Sequence, residues 1–295
     1  MMGTILVAGS AVAYSFAGYF TRLIPLDVMT LLFWRSLFAG LTLAALIVAR
    51  ERRGTWAAIR SIGGPGLLVA VTGVLSAYLY LAALRATTVA DVSIIFATLP
   101  FVTAGLAWVL LRERPSWRTV VASLVTLIGS AVMVGGAAGA GHLRGDLLAL
   151  GMTLTWAAVV VLLRRGRPVS MLPAIVLSCF LMAAVAAPMA RLGPLARLPL
   201  VELALFGGVQ LGMGLLLLTL GVRRISAARA ALIGLLDAPL APLWVWLAFD
   251  ETPGVTTLVG GGIVLAAVAW SMRPAPAAVA ELTSPALRPD RTCPM

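Results

Sequence analysis

Two stretches far apart in the chain are written to one plan. Leu84–Trp117 reads LRATTVADVSIIFATLPFVTAGLAWVLLRERPSW, and Val222–Val255 reads VRRISAARAALIGLLDAPLAPLWVWLAFDETPGV. In each, arginine opens the segment, proline interrupts an apolar helix, and a glutamate two residues ahead of a second proline closes it. Arg85 lies as far from Glu113 as Arg223 does from Glu251. Proline removes a backbone donor and leaves a carbonyl unpaired, so in a helix surrounded by lipid the freed groups must find partners in the protein. Two proline-broken apolar helices in corresponding places are the sequence pattern of a transporter whose site lies where two repeats meet.

Composition places these segments in a membrane. Hydrophobic residues make up 61% of the 295 residues and charged ones only 11%, too little polar material to cover a water-soluble body of this size. The formal charge of +11 comes from arginine alone, since the chain has no lysine, and most arginines fall in short gaps between apolar runs. That is the positive-inside bias of membrane topology, not a nucleic-acid footprint, and nucleic acid is not expected as a partner. The two cysteines, Cys179 in an apolar run and Cys293 near the end, imply no disulfide framework. The opening MMGTILVAGS lacks a basic n-region and reads as part of a retained first span.

Ten runs are long enough to cross a bilayer, which takes about 20 apolar residues: 3–21, 27–49, 64–83, 90–111, 117–136, 146–163, 170–190, 200–220, 228–249 and 255–272. The fold class expected is an all-α polytopic membrane protein. Thirteen arginines occupy the gaps after the second, fourth, sixth and eighth runs, against five in the alternate gaps. Both termini are therefore expected on the cytoplasmic side. The last residues, 273–295, are rich in proline and scattered charge and read as a disordered cytoplasmic tail.

The repeat extends to the other end of each half. Ala11–Leu23, AVAYSFAGYFTRL, lines up with Thr153–Arg165, TLTWAAVVVLLRR, setting Tyr14 against Trp156 and Arg22 against Arg164. The division expected is a first five-helix repeat over 1–137, a linker over 138–145 and a second repeat over 146–272. Five is odd, so the second copy enters the membrane from the opposite face. A cavity on the resulting two-fold axis can open to either side as one half rocks against the other.

Several residues are candidates for its wall. Asp237 sits mid-span, where a carboxylate costs a few kcal/mol unless it faces a cavity, pairs or is protonated. Substrate contact, proton coupling and a structural bond to backbone freed by Pro239 and Pro242 all fit. Thr72, Ser76 and Tyr80 share one helical face and map onto Gln210, Gly214 and Leu218 in the second copy. They read either as cavity wall or as interhelical packing. Tyr14 and Trp156 are candidate aromatic walls, Phe96 a candidate wall or core residue, and Pro100, Pro239 and Pro242 candidate bend points. Arg35 lies roughly 12 Å inside its span at 1.5 Å per residue. It reads as a structural tie in preference to a trap for a substrate carboxylate. Glu113 and Glu251 read as ties between loops, and His142 as a solvated loop residue. Trp34, Trp56, Trp117 and Trp270 read as boundary anchors. There is no metal, nucleophile or phosphate-loop constellation, so no cofactor and no enzymatic activity is expected.

The paired exits LLRERPSW and AFDETPGV, the run PFVTAGLAWVLLRE, FWRSLFAG, and GDLLALGMTLTWAAVVVLLRR resemble the drug/metabolite transporter superfamily, in particular the EamA-type exporters that include YddG-like aromatic amino-acid exporters. The resemblance spans about residues 3 to 272. It implies a ten-helix basket around a central cavity lined by helices 1, 3, 4, 6, 8 and 9, moving metabolites outward across the bacterial inner membrane. This chain departs from the pattern at Asp237-Ala238-Pro239, where the family carries its acidic residue directly before proline. The expected function is export of small metabolites, amino acids (aromatic and other neutral) or their analogues. Export of cationic drugs or polyamines is the rival, and a non-transport membrane scaffold a more distant one.

Overall fold

The computed structural model describes residues 2–51, 63–134, 143–166, 171–191, 199–250 and 252–272. Over these residues the chain is helical throughout. The ten spans are α1 (Met2–Leu23), α2 (Val28–Ala49), α3 (Gly63–Ala86), α4 (Asp91–Leu111), α5 (Trp117–Val134), α6 (Leu143–Arg165), α7 (Leu172–Met189), α8 (Leu200–Val222), α9 (Ala227–Phe249) and α10 (Val255–Met272). The side chains sort by size. Large apolar groups such as Val109, Leu247 and Val255 face outward, while Ala11, Ala39, Ala122, Ala149 and Ala157 are completely covered. Lipid tails are as apolar as leucine, so membrane helices gain from close approach, which small residues permit. One such approach joins α5 to α10: a Cβ on Gly260 would stand 2.4 Å from both the Gly129 carbonyl oxygen and the Met133 nitrogen. Gly261 faces Pro239, so two of the three glycines at 260–262 serve internal packing and only Gly262 looks into open space.

The most extensive contacts between helices follow a rule. Contacts join α3 to α6, α1 to α8, α2 to α8, α3 to α7, α4 to α6 and α1 to α9, together with the pairs α2–α7, α4–α9 and α5–α10. Exchanging each helix for its counterpart five places along maps this set onto itself. Individual contacts obey it too: Gly3 of α1 presses on Arg224 just past α8, and Gly145 of α6 presses on Ala86 at the end of α3.

The breaks correspond residue by residue. The α4 span consists of Val89–Ala97 and Leu99–Leu111 joined at Thr98, and α9 consists of Ala227–Gly234 and Asp237–Phe249 joined through Leu236. One displacement along the chain carries Leu99 onto Asp237, Leu111 onto Phe249, and the whole of α5 onto α10. It also carries Arg112 onto Asp250, the two non-glycine residues of the described chain with left-handed backbone, at φ of 54° and 53°. Each ends its helix in the αL conformation, a common way to satisfy the last carbonyls. At the breaks shorter-range bonds take up the carbonyls that the prolines leave free: the Thr98 N–H reaches that of Phe96 as well as that of Ile95, and the Ala238 N–H reaches that of Leu235 at 3.3 Å.

Two irregularities carry no proline. The α1 span is interrupted at Phe16, between Met2–Ser15 and Ala17–Leu23, and α8 widens into a π-helix over Leu205–Met213. The second lies where α8 meets α2 almost backbone to backbone, a Cβ on Gly207 falling 2.5 Å from the Arg35 carbonyl oxygen and the Phe38 Cβ. π-turns of this kind are frequent at functional sites.

Candidate functional site

Helix ends meet at both membrane faces. On one, the Arg164 guanidinium donates through Nε to Glu113 Oε1 at 2.9 Å and through Nη1 to the Arg223 carbonyl at 2.8 Å and that of Val222 at 3.3 Å. The Ala227 N–H donates to Glu113 Oε2 at 3.5 Å. This knot gathers the C-terminal ends of α4, α6 and α8 and the N-terminus of α9, so the corresponding helices α4 and α9 run in opposite directions. On the other face the start of α4 is capped locally. Thr88 Oγ1 accepts from the Asp91 N–H at 3.1 Å and donates to its carboxylate at 2.7 Å, and the Thr87 hydroxyl lies 3.0 Å from both Asp91 and Asp146. The threonine hydroxyl thus closes one open helix-end donor, and the carboxylate it donates to holds it in place.

Between these faces lies a cluster of polar groups from five helices. Gln210, only 2% exposed, is held in the π-turn of α8. Its Nε2 donates to the Tyr14 carbonyl on α1 at 3.1 Å, and its Oε1 accepts from Arg35 Nε on α2 at 3.1 Å. The Arg35 guanidinium lies over the Phe206 ring, 5.0 Å from its centroid. Tyr14 and Tyr80 are each within electrostatic range of both Arg35 and Asp237. No ion pair joins Arg35 to Asp237. Asp237 is the first residue of the second segment of α9, where a helix dipole favours negative charge. Tyr80 is 47% exposed although both charged groups lie within electrostatic range of it.

A model of the EamA-like transporter family matches residues 1–135 and again residues 143–273. The chain belongs to the EamA-like transporter family. EamA-like proteins are multi-pass membrane transporters of small metabolites with ten helices, and this chain shares that architecture. One solved crystal structure superposes with a TM-score of 0.78 at 17% identity, over 92% of this chain and 96% of its own, a likeness of fold. No curated protein matches the chain.

Within this EamA-like fold the residues singled out from the sequence divide into two groups. Tyr14, Tyr80, Gln210 and Asp237 come together in the polar cluster. Phe96 and Trp156 meet elsewhere, packed with Val102 around Leu99, Ala157 and Ala231 where α4, α6 and α9 join. Thr72 donates its hydroxyl to the Leu68 carbonyl in its own helix, and buried Ser76 donates to the Met152 carbonyl on α6 at 3.3 Å. Their shared face is thus partly an interhelical seam. Pro100 and Pro239 are buried just after their breaks, while Pro242 lies inside the second segment of α9. Glu113 is the tie expected: it pairs with Arg164 and reaches the N-terminus of a neighbouring helix at Ala227. Trp117 and Trp270 stack edge to face at 5.7 Å, whereas Trp34 packs with Phe38 against Ile24, Leu31, Leu203 and Phe206. Trp34 is therefore a packing residue and not a boundary anchor. The readings of Trp56, His142, Glu251, most of the linker and the tail from residue 273 fall outside the described residues.

The sequence reading missed the clamp between α1 and α9. At the α1 break Phe16 stacks on Trp244 at 4.4 Å, and the Trp244 indole N–H donates to Ser15 Oγ at 2.8 Å. The small pair Ser15 and Ala17 flanking an aromatic was the available signal. It is weak without knowledge that Trp244 lies opposite.

Proposed function

We propose that this transporter exports small metabolites across the bacterial inner membrane, amino acids (aromatic and other neutral) or their analogues first among them. It works by alternating access through a cavity between two five-helix repeats, residues 1–137 and 146–272, with both termini in the cytoplasm. The observation that carries the reading is Asp237, a mid-membrane carboxylate at the break of α9 with no ion-pair partner among the described residues, in electrostatic range of Tyr14 and Tyr80. A charge so placed costs several kcal/mol unless it meets water, a proton or a solute. The swap-symmetric helix contacts and the antiparallel run of α4 and α9 support rocking of one half against the other, with Pro100, Pro239 and Pro242 at the bends. Thr72, Ser76, Phe96 and Trp156 then belong to the flanking walls. The YddG-like preference for aromatic side chains is supported by the tyrosines of the cluster.

Export of cationic drugs or polyamines is the second reading, favoured by the unpaired Asp237 and opposed by the Arg35 guanidinium close to the same tyrosines. Liposomes holding the purified protein separate the two. Radiolabelled phenylalanine and threonine, but not a quaternary ammonium dye, are expected to cross, and comparison with and without a pH gradient tells proton coupling from facilitated passage. Dye flux without amino-acid flux would reverse the assignment, and no flux of any solute through folded protein would favour a scaffold.

A further inference from the structure

Arg35 is the strongest polar group of the cluster that the sequence reading left as structure. Its stem lies deep in the bundle, with Tyr14, Tyr80, Cys179, Phe206 and Gln210 around it from α1, α3, α7 and α8. Two contacts fix the fork without occupying its NH2 groups. Gln210 takes the Nε proton, and that amide is itself anchored on the Tyr14 carbonyl. The Phe206 ring supports one face of the guanidinium. Neither terminal NH2 group has an acceptor among the described residues, and no carboxylate forms an ion pair with it. A structural arginine is normally consumed by carboxylates or helix-end carbonyls, as Arg164 is at the membrane face. Arg35 is instead held in place with its bidentate edge unspent.

We infer that Arg35 is the anion-binding, specificity-determining residue of the transport site, its two NH2 groups taking the carboxylate of a zwitterionic solute whose ammonium faces Asp237. This rests on the exporter reading and sharpens it. The planar fork matches a carboxylate with two parallel hydrogen bonds, which a lysine cannot reproduce. Tyr14 and Tyr80 are each in electrostatic range of both charges, beside the carbon that carries the solute's two charged groups. A solute carrying only the cation satisfies Asp237 and leaves the arginine desolvated and unpaired, so amines are rejected although a carboxylate waits for them.

The test is competition binding on purified protein with labelled phenylalanine as probe, alongside liposome flux. Phenylalanine is expected to be displaced by neutral amino acids and at least about tenfold less well by phenethylamine, which lacks only the carboxylate; a tenfold change corresponds to about 1.4 kcal/mol. Arg35→Gln is expected to weaken phenylalanine binding by more than about tenfold and to abolish the preference over phenethylamine. Arg35→Lys, which keeps the charge and serves should the glutamine variant fail to fold, is expected to bind phenylalanine less well while still rejecting the amine. Unchanged binding by folded Arg35→Gln, equal displacement by phenethylamine, or no binding of any zwitterion would overturn the proposal. Binding without flux would uphold the role of Arg35 and count against the exporter reading. Flux unaffected by Arg35→Gln would do the reverse.

Discussion

Helices α4 and α9 share one backbone and differ in what it carries. Both break at the same place and both end in a left-handed residue, yet the position after the break is buried Leu99 in one and Asp237 in the other. Their first turns are also finished differently. Thr88 and Asp91 cap α4 from within, while Ser226 makes no side-chain cap at the start of α9 and Glu113 from the other half reaches across to Ala227. The same contrast separates α3 from α8, where Thr72 bonds its own helix and its counterpart Gln210 links three. Symmetry here belongs to the scaffold and not to the polar cluster: Asp237 stands opposite an apolar residue, Gln210 opposite a threonine bonded within its own helix, and Arg35 has no counterpart.

The largest expected effect tests the first of these differences. Asp237→Asn should lower phenylalanine flux between about tenfold and about a hundredfold, since a hydrogen bond to a charged group is worth roughly 1.5–3 kcal/mol. Leu99→Met at the matching position should change flux less than about twofold, because volume-conserving apolar swaps are well tolerated. Equal losses would make the break itself, and not its charge, the functional element. Normal transport by Asp237→Asn at every pH would remove both substrate contact and proton coupling.

Stability sharpens the second contrast. Gln210→Leu strands Arg35 Nε in a desolvated place and should cost about 2–3 kcal/mol in thermal unfolding in detergent. Thr72→Val gives up only a bond within its own helix and should cost under about 1 kcal/mol. The Glu113 tie comes next. Its side chain and that of Arg164 are 26% and 11% exposed, so Glu113→Gln should cost about 1–2 kcal/mol, less than breaking a fully buried pair. The smallest effect lies at the start of α2. Asp27 accepts from the Thr30 hydroxyl at 2.7 Å and from the Met29 and Thr30 N–H groups at 3.1 Å, and these bonds, the hydroxyl first, hold its carboxyl below the usual carboxylate range. Its contribution is therefore complete above the ordinary carboxylate pKa and fades as pH falls through the lowered one. Asp27→Ala should cost about 1 kcal/mol or less at neutral pH and show a weaker acid dependence than the parent.

The spans were legible because lipid demands long apolar runs, and the breaks of α4 and α9 because proline marks them. The one-residue shift between Pro100 and Pro239 did not move the second break, which falls at Leu236 opposite Thr98. The π-turn of α8 and the interruption of α1 were not legible. Both arise where another helix arrives, α2 against Gly207 and Trp244 against Ser15 and Phe16. Helical periodicity placed Thr72, Ser76 and Tyr80 on one face, but it could not show that the first two hydroxyls are spent on carbonyls. Arg35 was read as a tie because its depth was visible and its partners were not; only the bond to Gln210 reveals a guanidinium fixed on one edge and open on the other.

Labelling at Tyr80 tests most directly whether these groups share a water-reachable hollow. With Cys293 replaced by serine and Cys179 buried, a Tyr80→Cys variant should react with a charged, membrane-impermeant thiosulfonate, and phenylalanine should slow that reaction. Reaction only with a lipid-soluble maleimide, at a rate phenylalanine does not change, would place the residue against lipid and contradict the account.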